Sequence, residues 1–157
     1  MNNQPLLAIT MGDAAGIGPE VTAKALLEES IYSKCRPFVV GNVDAMNDAL
    51  RIISSNIVAS AHSDLSTIKG QYGEIDVLDL DNLNFNEIKY GEISPLCGRA
   101  SVEWILKAGE LAASGVVKAI STAPINKEAC NEAGFKDIGH MEIFQRQTGA
   151  EDVATML

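Results

Sequence analysis

Short apolar runs alternate with amphipathic stretches along most of the chain. The apolar runs have the length and composition of buried parallel strands. They predict strands at residues 6–11, 36–41, 56–60, 74–80 and 116–122. The amphipathic stretches between them predict helices at residues 19–30, 42–53, 100–114, 127–133 and 141–147. Strands that alternate with helices predict an α/β fold with a parallel, helix-flanked sheet.

Two segments depart from this alternation. Residues 81–94 are polar and rich in asparagine, which predicts an exposed excursion rather than a domain linker. Residues 153–157 form an apolar run that is typical of the beginning of another buried strand. Because natural termini rarely fall within a core, we expect this chain to be part of a longer protein.

The net charge limits which partners the protein can bind, and the cysteine content indicates its cellular compartment. The 157 residues carry a net charge of −9, which disfavours binding to nucleic acid or to an anionic membrane surface. The three cysteines are far apart and odd in number, as expected for reduced thiols. We find no signal peptide and no apolar run long enough to span a membrane. These features indicate a cytoplasmic protein.

A glycine loop, residues 12–18, joins the first strand to the first helix. Backbone N–H groups in this setting can bind phosphate. The spacing matches neither G-x-G-x-x-G nor a P-loop. Asp13, Gly16 and Gly18 therefore have two interpretations: they line a ligand cleft, or the glycines serve strand–helix packing and Asp13 is a helix cap or a hinge residue.

A second candidate loop follows the strand predicted at residues 116–122. Asn126 is well placed as an N-cap, which puts Lys127 in the first turn of a helix. The helix dipole disfavours a cation there, and a bound phosphate or carboxylate would offset that cost. The alternative is a solvated lysine on an ordinary connection.

Histidine chemistry is confined to two residues, His62 and His140. His140 follows Gly139 at the start of a predicted helix, whose dipole should favour a neutral imidazole that donates to a substrate oxygen. A surface or capping histidine is the other interpretation. His62 lies in a polar loop and is not a candidate. No histidine pair has metal-ligand spacing, and no nucleophile with its base is recognisable, so we assign this chain neither metal ligands nor catalytic residues.

Four segments, in this order along the chain, resemble one family. They are Met11-Gly-Asp-Ala-Ala-Gly-Ile-Gly-Pro-Glu20, Gly98-Arg-Ala100, Thr122-Ala-Pro-Ile-Asn-Lys127 and Gly139-His-Met-Glu142. They resemble the 4-hydroxythreonine-4-phosphate dehydrogenases of pyridoxal phosphate synthesis and the related 4-phospho-D-threonate and 4-phospho-D-erythronate dehydrogenases. The resemblance covers nearly the whole chain and implies the amino-terminal half of such a protein.

The resemblance implies two α/β/α domains of the isocitrate/isopropylmalate dehydrogenase type in a homodimer. Residues 1–122 would form the first domain, and residues 123–157 would begin the second. His140 takes the place of a substrate-binding histidine. Met141 stands where the family usually has threonine, and Ala14 replaces the usual proline.

The implied reaction is oxidation, with decarboxylation, of a 4-phosphorylated four-carbon hydroxy acid such as 4-phosphohydroxy-L-threonine or 4-phospho-D-threonate. It uses NAD and a divalent metal, zinc, magnesium or cobalt, which acts as a Lewis acid. The family's metal histidines and most of its NAD site lie beyond Leu157, so we expect this chain alone to bind neither and to be inactive. The alternative is a non-catalytic truncated paralogue that retains only the fold and dimer contacts.

Overall fold

A single parallel sheet organises the chain in the computed structural model, which describes residues 4–136 and 139–154. The strands in these residues are β1 (Leu6–Thr10), β2 (Arg36–Gly41), β3 (Val58–His62), β4 (Glu74–Asp79) and β5 (Ala119–Thr122). They are arranged in the order β3-β4-β2-β1-β5, and every neighbouring pair is parallel. The predicted parallel α/β fold is confirmed.

The helices connect these strands and flank the sheet. They are α1 (Gly18–Leu26), α2 (Glu29–Tyr32), α3 (Val43–Ile52), α4 (Pro95–Ala113), α5 (Lys127–Glu132) and α6 (His140–Thr148). Single 3₁₀ turns occur at Leu65–Thr67 and Phe85–Glu87. None of the helices in the described ranges has the length and hydropathy needed to cross a bilayer. All three cysteines are free thiols.

Several boundaries differ from the sequence prediction for local reasons. The first helix ends at Leu26 rather than near residue 30 because the chain turns into the separate helix α2. Helix α4 begins at Pro95 rather than at residue 100, after Ser94 accepts a hydrogen bond from the Cys97 N–H. β3 lies two residues later than predicted. β5 is shorter than predicted because residues 116 and 117 still donate to the Leu111 carbonyl at the end of α4.

The main core lies between the sheet and the helices α1, α3 and α4. Phe38, Val39 and Val40 of β2 are fully buried, and so is Trp104 of α4. The Trp104 Nε1–H donates to Asn82 Oδ1 at 3.0 Å. The segment 81–94, predicted to be an exposed excursion, is therefore partly anchored to the core.

The other side of α4 carries the two last helices. Val102 and Ile105 of α4 form a second apolar cluster with Cys130 of α5 and Ile143 of α6. The approach of α5 depends on Gly98, because a Cβ atom there would lie 2.2 Å from the Ala129 carbonyl oxygen. Helix α4 thus fixes α5 and α6 relative to the sheet.

The strand predicted at residues 153–157 falls mostly outside the described residues. Residues 153 and 154 have no regular secondary structure, and residues 155–157 lie outside the described ranges.

Candidate functional site

Two loops meet at the carboxyl-terminal edge of β1 and β5. The glycine loop (residues 12–18) follows β1, and the Lys127 loop (residues 123–127) follows β5. The Asp13 N–H donates to the Pro124 carbonyl at 2.9 Å, which joins the loops directly. Gly12 has φ +74°, and a Cβ there would lie 2.3 Å from the Pro124 oxygen. Only glycine permits this approach.

An open cleft of about 470 Å³ lies between the two loops. It is lined by Asp13, Gly16, Ile17, Pro124, Ile125, Asn126 and Lys127. The structure therefore brings together four of the sequence candidates, two from each loop. The lining residues Ile17, Pro124 and Ile125 were not predicted, because their apolar side chains carry no chemical signal.

Gly18 lies apart from the cleft lining. It is the buried first residue of α1, and a Cβ there would lie 2.2 Å from the Met11 carbonyl oxygen. Gly18 therefore serves strand–helix packing, one of the two interpretations that the sequence allowed.

Asp13 is a buried carboxyl group at the wall of the cleft. Its side chain is 8 % exposed, and its Oδ1 accepts a hydrogen bond from the Ala15 N–H at 3.0 Å. Burial raises the pKa of this carboxyl group, and the Ala15 hydrogen bond partly opposes that rise. Asp13 closes an Asx turn within its own loop. It does not cap α1, because the N-cap residue is Ile17 and this helix has no side-chain capping hydrogen bond.

Lys127 is an exposed cation at the rim of the cleft. The predicted cap is confirmed, since Asn126 Oδ1 accepts from the Ala129 N–H at 3.1 Å. Lys127 is therefore the first residue of α5, with Glu128 beside it. In residues 4–136 and 139–154, no carboxylate forms an ion pair with Lys127. Its charge remains available to an anion in the cleft.

His140 is the first residue of α6 and is half-buried. Its Nε2 atom is buried and has no hydrogen-bond partner among the residues described. Burial lowers the pKa of the imidazole, the Lys127 charge lowers it further, and Glu142 opposes both effects. Burial therefore favours the neutral form of the ring, the form that the sequence analysis expects at the start of a helix.

Met141 and Glu142 follow His140 in the first turn of α6. Met141 is 37 % exposed. The Glu142 carboxylate folds back over Gly139, where a Cβ would lie 2.1 Å from Glu142 Oε2. The start of α6 therefore presents an apolar side chain and a carboxylate beside the imidazole.

Ser101 supports the cleft from behind and was not among the predicted residues. It is 1 % exposed, and its Oγ lies 2.8 Å from both the Gly12 and the Cys97 carbonyl oxygens. Its hydroxyl hydrogen can serve one of these acceptors at a time. The sequence shows only that a serine lies on the buried face of α4. It does not show that this serine contacts the glycine loop.

His62, which the sequence analysis does not count as a candidate site residue, makes structural contacts. It ends β3, at the other edge of the sheet from β5. Its Nδ1 lies 2.7 Å from Thr67 Oγ1. Its Nε2 lies 2.7 Å from Asp76 Oδ1, outside hydrogen-bond geometry. Asp76 also accepts from the Lys69 and Gly70 N–H groups. These contacts hold the β3–β4 connection.

Sequence comparison identifies one family. Residues 33–157 match the family described as pyridoxal phosphate biosynthetic protein PdxA. A protein of Halalkalibacterium halodurans, whose assigned activity is that of a D-threonate 4-phosphate dehydrogenase, is 40 % identical over 99 % of this chain. A protein of Clostridium botulinum with the same assigned activity is 37 % identical over 99 % of the chain. The matches cover 47 % of each relative.

Solved structures agree with the sequence matches. A 4-hydroxythreonine-4-phosphate dehydrogenase from Burkholderia phymatum superposes with a TM-score of 0.91 at 38 % identity, covering 96 % of this chain and 46 % of that one. The Klebsiella pneumoniae 4-hydroxythreonine-4-phosphate dehydrogenase superposes with a TM-score of 0.87 at 30 % identity, covering 97 % of this chain and 46 % of that one. The chain spans about half the length of the relatives it matches.

Proposed function

Because the chain belongs to the family of the pyridoxal phosphate biosynthetic protein PdxA, we propose that it forms the substrate-anchoring part of a dehydrogenase. The substrate class is a 4-phosphorylated four-carbon hydroxy acid, such as 4-phosphohydroxy-L-threonine or 4-phospho-D-threonate. The overall reaction removes a hydride and a proton from a secondary alcohol, with NAD as the hydride acceptor. The resulting β-keto acid then loses carbon dioxide.

One observation carries this proposal: the buried Nε2 of His140 has no hydrogen-bond partner among the described residues, and Lys127, at the rim of the cleft, is near enough for its charge to lower the pKa of that imidazole. A neutral imidazole offers one donor and one acceptor. It can hydrogen-bond a substrate oxygen without adding a charge. Lys127 supplies the positive charge for the phosphate or carboxylate. Because the whole chain carries a charge of −9, attraction of an anionic substrate must come from such local groups.

The described residues do not fit a metal or NAD site of their own. Among them, no three His, Cys, Asp or Glu side chains come together as a ligand set. In the glycine loop, Gly12 and Gly18 are packed against the carbonyl oxygens of Pro124 and Met11, and the loop lacks the G-x-G-x-x-G spacing of a dinucleotide site. We therefore assign only binding and orientation steps to this chain.

Assembly and compartment belong to the same proposal. We propose that residues 123–157 begin the second domain of the family protein and that the assembled enzyme is a homodimer. The three free cysteines favour a reducing compartment, and we propose the cytoplasm.

The proposal can be tested by calorimetric titration of the chain with 4-phospho-D-threonate and, separately, with D-threonate. We expect binding of the phosphorylated acid alone. Lys127→Ala should weaken binding about tenfold or more, as expected for loss of a hydrogen bond between charged groups. Lys24→Ala, at an exposed lysine in the last turn of α1, is the matched control. Equal binding of both acids, or equal weakening by both substitutions, would refute the proposal.

A further inference from the structure

Asp13 places a carboxyl group in the wall of the cleft with little around it to balance a negative charge. Oδ1 accepts the Ala15 N–H, and within residues 4–136 and 139–154 no second hydrogen bond reaches this carboxyl group. Nor does any basic side chain of these residues form an ion pair with it. One hydrogen bond does not replace the hydration that a carboxylate loses on burial, so the ionised form is costly here.

The second carboxyl oxygen, Oδ2, lies beside Gly16. Both residues line the cleft, and a Cβ at position 16 would lie 3.3 Å from Oδ2. A side chain there would therefore cover this oxygen. Gly16 does not have the positive φ that would require glycine for the backbone. Its missing side chain instead leaves Oδ2 open to a ligand in the cleft.

The helices packed against Asp13 do not neutralise it. Burial raises the pKa of the Cys97 thiol on α4 and of the Cys130 thiol on α5, and the Asp13 charge raises both further. Both thiols are therefore neutral near about pH 7. Lys127, at the start of α5, lines the cleft from the other loop but is not an ion-pair partner of Asp13.

The other charged groups nearby do not neutralise it either. The segment that follows the 3₁₀ turn at Phe85–Glu87 contacts the glycine loop through the Gly91 N–H and the Ala15 carbonyl. Its Lys89 and Glu92 side chains pair with each other. Glu20, in the first turn of α1, adds a negative charge and does not line the cleft. An anion bound beside Lys127 would therefore meet an ionised Asp13 as an uncompensated like charge.

We propose that Asp13 binds the phosphate group of the ligand in its protonated form. The Oδ2–H donates to a phosphate oxygen, and Lys127 supplies the positive charge. The proton comes from solvent, so ligand binding takes up a proton at this side chain. A phosphate group has three acceptor oxygens and can accept both hydrogen bonds at once. The role of Asp13 rests on the proposed function, because it requires an anionic ligand in this cleft.

The test is a pH titration of the Asp13 carboxyl carbon by NMR, from about pH 4 to about pH 9. It is recorded for the chain in sodium chloride, with 4-phospho-D-threonate, and with sodium sulfate, all at one ionic strength. Sulfate resembles phosphate in shape but stays doubly charged over this range. Asp13→Asn removes the signal and so assigns it. We expect either anion to raise the titration midpoint by about 1–3 pH units relative to chloride, as a charge within about 4–6 Å does.

Calorimetric titrations with 4-phospho-D-threonate separate the hydrogen-bond donor from the charge. Asp13→Asn retains a neutral donor, so at about pH 8 it should bind about tenfold more tightly than the parent, which must first take up a proton. Asp13→Ala lacks the donor and should bind about tenfold more weakly than Asp13→Asn. Gly16→Ala should also weaken binding, because it covers Oδ2. Glu20→Gln, the control for loss of a nearby charge, should leave the upward shift of the Asp13 midpoint unchanged.

Three results would overturn the proposal. The first is an Asp13 midpoint that neither anion raises. The second is a midpoint that the anions lower, because Asp13 would then be ionised in the complex. The third is binding by Asp13→Asn that is no tighter than binding by Asp13→Ala, with both variants folded by Trp104 fluorescence. A midpoint that rises with sulfate while 4-phospho-D-threonate fails to bind would support the role of Asp13 and refute the proposed substrate.

Discussion

Replacement of Gly98 by alanine tests how α4 positions the Lys127 loop. The new Cβ would lie 2.2 Å from the Ala129 carbonyl oxygen and 2.6 Å from the Cys130 nitrogen. Both are backbone atoms, so α5 as a whole would have to move away by about 1 Å to restore ordinary van der Waals contact. Overpacking of this kind costs roughly 2–3 kcal/mol, and the better helix propensity of alanine returns about 1 kcal/mol. We expect a net loss of about 1–2 kcal/mol.

Gly109→Ala is the matched control in the same helix. There the Cβ would meet Gln147 Oε1, the flexible end of a side chain, at 1.9 Å. Gln147 can swing away, which loses its hydrogen bond to the Leu106 carbonyl, worth about 0.5–1.5 kcal/mol. The propensity gain offsets most of this loss, so Gly109→Ala should stay within about 0.5 kcal/mol of the parent.

Urea unfolding followed by the fluorescence of Trp104, the single tryptophan, measures both variants. At a slope of about 2 kcal/mol per molar urea, Gly98→Ala should lower the midpoint by about 0.5–1 M. A Gly98→Ala protein as stable as the parent, or more stable, would refute the proposed packing of α5 on α4.

Two further predictions concern pH. The pKa of Asp13 is raised, so the folded chain binds the carboxyl proton more tightly than the unfolded chain does. The free energy of unfolding therefore falls as the pH rises from about 3.9 through the folded-state pKa. Asp13→Asn should therefore resist urea better than the parent at pH 7, and the two should converge near pH 3; a less stable variant at pH 7 would contradict this. Burial lowers the pKa of His140, so the folded chain favours the neutral ring. The neutral ring therefore contributes to the free energy of unfolding above about pH 6.5, and this contribution is lost as the pH falls through the folded-state pKa. In urea titrations, His140→Gln should reduce the fall in stability between about pH 7 and pH 5, and an unchanged slope would argue against the buried imidazole.

The fold could be predicted where local sequence determines it. The boundaries of β2 are as predicted, because an apolar run bounded by Arg36 and Gly41 has no competing signal. The first residues of α4 were not predicted as helix, because Gly98 reads locally as a helix breaker. The glycine is required there by the approach of Ala129, a contact about thirty residues away in the chain.

The candidate site was predictable only in part for the same reason. Sequence analysis offered Asp13 and Lys127 as candidates on two separate loops, and the structure brings both to one cleft at the carboxyl ends of parallel strands. Sequence could not show that Gly18 packs on Met11. Nor could it show that Ser101 reaches the Gly12 carbonyl, because that contact depends on how α4 crosses the sheet.

The central claim is that the neutral imidazole of His140 binds a phosphorylated hydroxy acid next to Lys127. Nitrogen NMR of the two histidine rings, recorded while 4-phospho-D-threonate is added, tests it most directly. The account predicts a saturable shift of the His140 Nε2 signal that is absent in Lys127→Ala, with His62 unchanged as the internal reference. An unshifted His140 signal, or the same shift with D-threonate, would contradict it.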